Sequence, residues 1–238
     1  MREPVEALFS RYSWPTVRLL KWSLRTGIRP FYRLRVQGAE HVPPTGPGIV
    51  AANHVSLFDA AAVQLAVRRR LTALAKAEYW KSRRTRWIFD LTGQIPVERG
   101  SDEASASVEA GLRVLALGGL LHIHPEGSRS PDGRMYRGKS GVGRLAAQSG
   151  APVIPTAVLG TLAIFPRHAK RPRLNGRVTV RFAPAVCFPS ADPDDPAALH
   201  AFVDDVMARI RDMSGQEYVD EYNDAPAHAK RATRPGGA

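Results

Sequence analysis

Ile49-Val50-Ala51-Ala52-Asn53-His54-Val55-Ser56-Leu57-Phe58-Asp59 joins an apolar run to a polar turn and a helical pattern. Four apolar residues in a row follow the turn-rich segment Pro43-Pro44-Thr45-Gly46-Pro47-Gly48. An apolar run that short, bounded by turn residues, reads as a buried strand. From Asp59 to Val67 the pattern is helical. A buried strand that turns at once into a helix is the unit of an α/β sheet. His54 then stands at the strand's carboxyl end, where ligands of such sheets gather.

Outward from this unit the alternation continues. Leu71–Ala75 reads as a short strand, residues 102–117 as a helix, and Leu120–His124 as a second buried strand. Val142–Ser149 reads as a helix that Gly150 closes. Val153–Val158 and Val178–Phe182 are strands, the latter led by the turn pair Asn175-Gly176. A closing helix over Pro193–Met213 completes the set. Strands alternating with helices predict an α/β domain. The expected organisation is a basic N-terminal segment at 1–35, a domain at 36–222 and a disordered tail at 223–238, rich in Ala, Pro, Gly and basic residues.

Two segments carry side chains suited to chemistry. Asp59 is five residues from His54, so its carboxylate can reach back to one imidazole nitrogen. It would fix the tautomer while the other nitrogen takes a hydroxyl proton. The pair can equally be a helix start with an acid favoured by the helix dipole, and on its own it leaves both readings open. The second segment is Pro125-Glu126-Gly127-Ser128-Arg129-Ser130. Glycine lets a backbone approach an anion, and an arginine fork suits phosphate. Arg99, ending Gly93-Gln94-Ile95-Pro96-Val97-Glu98-Arg99, could reach the same anion. A surface ion pair of Glu126 is the plain alternative.

His122 and His124 share one side of their strand, but no third ligand stands at a metal-binding spacing, so no metal is expected. Gly133-Arg134-Met135-Tyr136-Arg137-Gly138-Lys139-Ser140 satisfies the spacing of a nucleotide-binding loop. Such a loop needs a strand immediately before its first glycine. Here the polar turn Arg129-Ser130-Pro131-Asp132 precedes it, so the match reads as coincidence.

The chain of 238 residues has a formal charge of +12. The excess lies in residues 1–35, at +6, and residues 68–86, at +7, and the remainder sums to −1. Such segments attract anionic lipid, nucleic acid or phosphorylated ligands. From Trp14 to Gly27 the pattern is helical, and an apolar stripe of Val17, Leu20, Leu24 and Ile28 runs beside a basic stripe of Arg18, Lys21, Arg25 and Arg29. With Trp14 and Trp22 added, this predicts a helix lying in a lipid interface, with Trp14, Arg18, Lys21, Trp22 and Arg25 as membrane contacts; a surface helix packed on the domain is the plain alternative. No secretory signal is visible, and Leu145–Phe165, the longest uncharged stretch, is interrupted by Gly150, Pro152 and Pro155. Peripheral association with the cytoplasmic face of a membrane is therefore expected. The single cysteine, Cys187, excludes an internal disulfide and lies far from both motifs. No base-reading motif accompanies the basic segments, so nucleic acid is not an expected partner, though a non-catalytic membrane- or nucleic-acid-binding module is the rival class.

In order along the chain, the motifs resemble those of the glycerophospholipid acyltransferases, of which 1-acylglycerol-3-phosphate acyltransferases are the best-known members. The family's Asn-His-x4-Asp block stands as Asn53-His54 to Asp59, and its Gly-x-Ile-Pro-Val-x-Arg block as Gly93 to Arg99. Its Phe-Pro-Glu-Gly-Thr-Arg-Ser block stands as His124-Pro125-Glu126-Gly127-Ser128-Arg129-Ser130, and its Val/Pro-rich strand as Ala151-Pro152-Val153-Ile154-Pro155. Ala75-Lys76-Ala77-Glu78 and Lys139-Ser140-Gly141 also resemble family segments, and the match runs over about residues 32–185. Serine replaces threonine at 128 and histidine replaces phenylalanine at 124.

The resemblance implies a single α/β domain whose mixed sheet is flanked by helices. It implies acyl transfer from acyl-CoA or acyl carrier protein to the free hydroxyl of a lysophospholipid, 1-acylglycerol 3-phosphate first among them. A glycolipid sugar or a lyso-aminolipid is the alternative acceptor. His54 is then the general base and Asp59 its orienting partner. Arg99, Glu126, Gly127, Ser128, Arg129 and Lys139 form the phosphate site. No cofactor and no acyl-enzyme are expected.

Overall fold

A computed structural model of the chain describes residues 18–19, 21–23, 26–27, 31–82, 86, 94–97, 103–166, 169, 171–190 and 192–223. Arg99, Trp14, Arg25 and the expected tail from residue 224 onward lie outside the described residues.

Nine strands are present among these residues: β1 (Tyr32–Gln37), β2 (Gly48–Ala52), β3 (Leu71–Lys76), β4 (Ile95–Val97), β5 (Leu120–Ile123), β6 (Met135–Arg137), β7 (Val153–Leu159), β8 (Gly176–Phe182) and β9 (Tyr218–Tyr222). Five α-helices accompany them: α1 (Phe58–Ala66), α2 (Glu103–Ala116), α3 (Gly141–Ser149), α4 (Thr161–Ile164) and α5 (Pro196–Ser214). Seven strands form one sheet in the order β1-β8-β7-β2-β5-β3-β4. Its neighbours pair parallel except β7 with β8, which are antiparallel. The sheet is mixed, as the resemblance implies.

β2 lies at the centre, between β7 and β5, and is buried along its whole length. A strand covered on both faces needs apolar residues at every position, not at alternate ones. Ile49 and Ala51 enter one core with residues of α2, α3 and α5, while Val50 and Ala52 enter the other with residues of α1. On α1, Val63 is fully buried in this second core, a burial that contributes about 1.5–3 kcal/mol. Gly150, at φ 65°, ends α3 in the left-handed conformation glycine tolerates best. The Asp195 side chain caps α5 by accepting from the Ala197 N–H at 2.9 Å.

The segment with nucleotide-loop spacing contains β6, which pairs with β9 in a separate two-stranded ladder. No strand ends at Gly133, so a phosphate-cradling turn is not formed there. β1 begins at Tyr32, which draws the end of the expected N-terminal segment into the sheet as an edge strand.

Helical residues occur at 18–19, 21–23 and 26–27, within the expected N-terminal helix. Leu19 and Trp22 are 64% and 65% exposed. Lys21 departs from the expectation of a lipid contact. Its Nζ donates to the carbonyls of Arg69, at 2.8 Å, and Val67, at 3.3 Å, just beyond the end of α1. Burial, with Arg70 nearby, lowers its pKa to about 8. The ammonium is turned onto the domain because it satisfies carbonyls that the end of α1 leaves without helical partners.

The basic segment at 68–86 is likewise partly internal. Arg69 donates to the carbonyls of Pro43 (2.8 Å), Gly46 (2.8 Å) and Gly118 (3.1 Å), tying together the loops before β2 and β5.

Candidate active site

β2 and β5 are parallel neighbours, so the segments that leave their carboxyl ends lie side by side. That pairing brings residue 54 next to residues 124–130. Asn53 secures the first segment to the neighbouring strand. Its amide accepts the Val158 N–H at 2.7 Å and donates to the Val158 carbonyl at 3.1 Å, mimicking a ladder pair. The same NH2 donates to Gln216 Oε1 at 2.7 Å, and Gln216 holds the Gly133 carbonyl at 2.7 Å.

His54 Nδ1 donates to Asp59 Oδ2 at 3.0 Å. Asp59 is fully buried, and its carboxylate is a hub. Oδ2 also accepts the N–H groups of Val55 and Ser56, each at 2.7 Å, while Oδ1 accepts the Thr161 hydroxyl at 2.5 Å. Burial pushes the carboxyl above its ordinary range, and the hydrogen bonds from Thr161, Ser56 and Val55 oppose it. Only the ionised form can accept from all four donors, so the geometry favours the carboxylate. This fixes the His54 tautomer, with hydrogen on Nδ1 and a lone pair on Nε2 at the opposite edge of the ring. The side chain of His54 keeps 18% exposure while that of Asp59 has none.

The cap alternative is therefore half right. Asp59 does gather the N–H groups at the start of α1, and in the same position it orients the imidazole. Thr161, at the start of α4, is part of this unit, although in sequence it is distinguished only as the residue after Gly160 at a strand's end.

Glu126 differs from its expected role. It is fully buried, with Oε1 accepting the His54 N–H at 2.9 Å and Oε2 accepting the Tyr136 N–H at 3.0 Å. Burial pushes its carboxyl up to about 7. A buried carboxyl with both oxygens engaged by backbone N–H groups holds the two loops together and offers an anion no donor. It is a strut beneath the site and not a phosphate ligand. Ser128 is also turned away. Its hydroxyl donates to the Asn223 carbonyl at 3.1 Å, and Asn223 Nδ2 donates to the carbonyls of Ser128 and Arg129. Nothing in the sequence marks Asn223, 95 residues from Ser128, as this partner.

Gly127, Arg129 and Lys139 remain together as the cationic part of the cluster. Gly127 has φ 76°, and a side chain there would meet Lys139 Cδ and Cε at 3.2 Å. The glycine thus admits the lysine stem against the loop, while the Lys139 N–H donates to the Pro125 carbonyl at 2.9 Å. Arg129 is half-buried on the same loop. The Ser130 N–H donates to the His54 carbonyl at 2.7 Å, closing the two segments on each other.

His124 replaces a phenylalanine of the family pattern, and its ring is stacked on His54 with centroids 3.8 Å apart and planes 8° apart. His122 packs edge-on behind it at 4.6 Å. Among the described residues, no group of three or more His, Cys, Asp or Glu side chains could hold a metal ion.

Comparison with known proteins identifies the family. The family model described as Acyltransferase matches residues 33–159. The mouse protein named 1-acyl-sn-glycerol-3-phosphate acyltransferase alpha is 31% identical over 169 residues, 70% of this chain and 59% of that protein. The Arabidopsis thaliana protein named 1-acyl-sn-glycerol-3-phosphate acyltransferase LPAT1, chloroplastic, is 27% identical over 155 residues, 64% of this chain and 43% of that one. The chain thus spans about half the length of the curated relatives it matches. The crystal structure of the 1-acyl-sn-glycerophosphate (LPA) acyltransferase PlsC from Thermotoga maritima superimposes with a TM-score of 0.66 and 22% identity, covering 91% of this chain and 85% of that one. That likeness is one of fold.

Proposed function

The chain belongs to the acyltransferase family whose model it matches, and on that premise we propose that it acylates the free hydroxyl of a lysophospholipid, 1-acylglycerol 3-phosphate being the first candidate. The observation that carries this reading is the His54–Asp59 hydrogen bond at the carboxyl end of β2, beside the loop that bears Arg129.

In the proposed reaction the acceptor hydroxyl gives its proton to His54 Nε2 while its oxygen attacks the carbonyl carbon of a thioester, acyl-CoA or acyl carrier protein. The C–O bond forms and the C–S bond breaks. The imidazolium returns the proton to the leaving thiolate, so His54 ends as it began. Asp59 stabilises the transient imidazolium through Nδ1–H. Attack is direct, and the gain comes from holding both substrates in one site. Arg129 and Lys139 bind the acceptor's phosphate, with Gly127 allowing close approach and Arg99 a further candidate.

The acceptor's chains reside in a bilayer, and among the described residues no helix is long and apolar enough to cross one. Peripheral docking on an anionic surface, through the N-terminal segment with Trp14, Arg18, Trp22 and Arg25, fits the exposure of Arg18 and Trp22. The reading is tested by radiolabelled acyl transfer with both donor types across a panel of lyso-acceptors. Transfer to 1-acylglycerol 3-phosphate that exceeds transfer to neutral lyso-lipids is the expected result. Preference for a sugar or an amino-lipid would move the acceptor, and no transfer to any of them would remove the function.

A further inference from the structure

Behind the His54 ring lies an imidazole that the reaction above does not use. His124 Nδ1 is 3.0 Å from the Ala52 carbonyl and 3.1 Å from the Asn53 carbonyl. Carbonyls only accept, so Nδ1 carries the hydrogen and shares it between the last two residues before His54. The other nitrogen, Nε2, is then a bare acceptor, and it is buried with no hydrogen-bond partner among the described residues. A second proton on this ring would place an N–H with no acceptor in a buried site, a costly state. Burial and the neighbouring His54 accordingly push His124 down to about 3. His122, edge-on behind it, is held neutral for the same reasons.

Stacking at 3.8 Å excludes a proton relay between the two rings. Their N–H bonds and lone pairs lie in the ring planes, and the planes are parallel within 8°. What His124 can do is act through its face. It blocks one side of His54 and so prevents the ring from turning away from Asp59. It also sets what the imidazolium meets when the proton arrives. A phenyl face attracts a cation through its ring quadrupole, whereas a neutral imidazole, whose dipole and lone pair lie in the ring plane, attracts it less through its face.

Resting on the reading of His54 as the base, we infer that His124 is a positioning residue that pins the His54 ring and keeps it in its basic form to lower pH than the phenylalanine of the family pattern would. Among the described residues, titratable groups that contact His54 include Asp59 from α1 and Glu126 from the loop after β5, with His122 behind His124. Arg129 and Lys139 are the cations of the same loop cluster. Asp59 favours the imidazolium in wild type and variant alike, so exchange at 124 isolates the stacked face.

The sign follows directly. A base works only when unprotonated, so activity falls as pH drops through its titration midpoint. His124→Phe favours the imidazolium, raising the midpoint and moving the acid limb of kcat/KM upward by about half to one pH unit. Activity on the limb then drops about three- to tenfold, while the alkaline plateau and the acceptor KM stay near wild type because a ring still pins His54. His124→Ala removes the pin and lowers plateau kcat. Superimposable pH profiles for wild type and His124→Phe would overturn the proposal, because a merely structural role alters the plateau or the melting temperature and leaves the limb in place. Should His124→Phe not fold, imidazole nitrogen NMR of the wild type supplies the test. His124 is expected as an unchanging Nδ1–H tautomer from pH 5 to 8. Titration of His124 in that range, or an Nε2–H tautomer, overturns the assignment. The same spectra of His124→Phe report the His54 midpoint without catalysis. An upward shift in a protein that transfers no acyl group upholds this inference and refutes the proposed function. His54-dependent transfer with an unmoved midpoint does the reverse.

Discussion

The two ends of β2 face the same problem and solve it with opposite chemistry. At its amino end the loops before β2 and β5 leave carbonyls exposed, and the guanidinium of Arg69 gathers three of them. Lys21 does the same for the carbonyls beyond α1. At its carboxyl end the surplus groups are N–H donors, and two buried carboxylates gather them. Asp59 takes those of Val55 and Ser56, and Glu126 takes those of His54 and Tyr136. The amino end is finished when its carbonyls are satisfied. At the carboxyl end Asp59 also holds an imidazole, whose second nitrogen lies across the ring from it. Charge alone does not mark a site. The most basic stretch of the domain is partly scaffold, and the chemistry is proposed where buried acids hold a base in one tautomer.

Substitutions at four residues put that contrast to the test. Asp59→Asn has the largest expected effect, roughly 10² to 10⁴ in turnover, because an amide can neither accept from all four donors nor stabilise the imidazolium. Steady-state kinetics on the folded variant checks this, with a loss of stability accompanying it. Arg129→Ala is expected to raise the acceptor KM by roughly 10- to 150-fold with kcat less affected, since a charge-assisted bond to phosphate acts in ground and transition states alike. Arg129→Lys recovers little of it. An unchanged KM for lysophosphatidate would remove the phosphate from this cluster.

At the other end, Arg69→Ala leaves three carbonyls without their donor. It is expected to destabilise the fold by about 1–3 kcal/mol in urea unfolding, with turnover per folded molecule unchanged. Lost turnover there would dissolve the distinction between scaffold end and site end.

Glu126→Gln gives the smallest effect, and it is read through pH. The folded-state carboxyl titrates at about 7, above its ordinary 4.5. Between those values the folded protein retains a proton that the unfolded chain has released, so this group lowers stability as pH rises through the window. Glutamine does not titrate. The stability advantage of wild type over the variant should therefore narrow from pH 5 to pH 8, and a widening gap would show that the carboxyl is not held neutral by burial.

Much of this was legible in the sequence for a simple reason: local patterns report local structure. The β2–His54–α1 unit, β5 and the helix closed by Gly150 all follow from apolar runs and their breakers. β1 is harder to read because its basic residues mask a strand alternation, Tyr32-Arg33-Leu34-Arg35-Val36, inside a segment dominated by positive charge. β6 and β9 are short and stabilise each other across 80 residues, so neither carries a signal of its own. The His54–Asp59 pair was readable because its partners are five apart. The roles of Glu126, Ser128 and Lys21 were not, since each is decided by groups 46 to 95 residues away, apart from the Glu126 contact to Tyr136.

The most direct test of the account is the turnover of His54→Ala in purified, folded form, with labelled thioester donor and 1-acylglycerol 3-phosphate. A loss of roughly 10² to 10⁴ in turnover is predicted, with the unfolding midpoint close to wild type, because Asp59 keeps the Val55, Ser56 and Thr161 donors. A variant that retains more than about a tenth of wild-type turnover, against that expected loss, would contradict it.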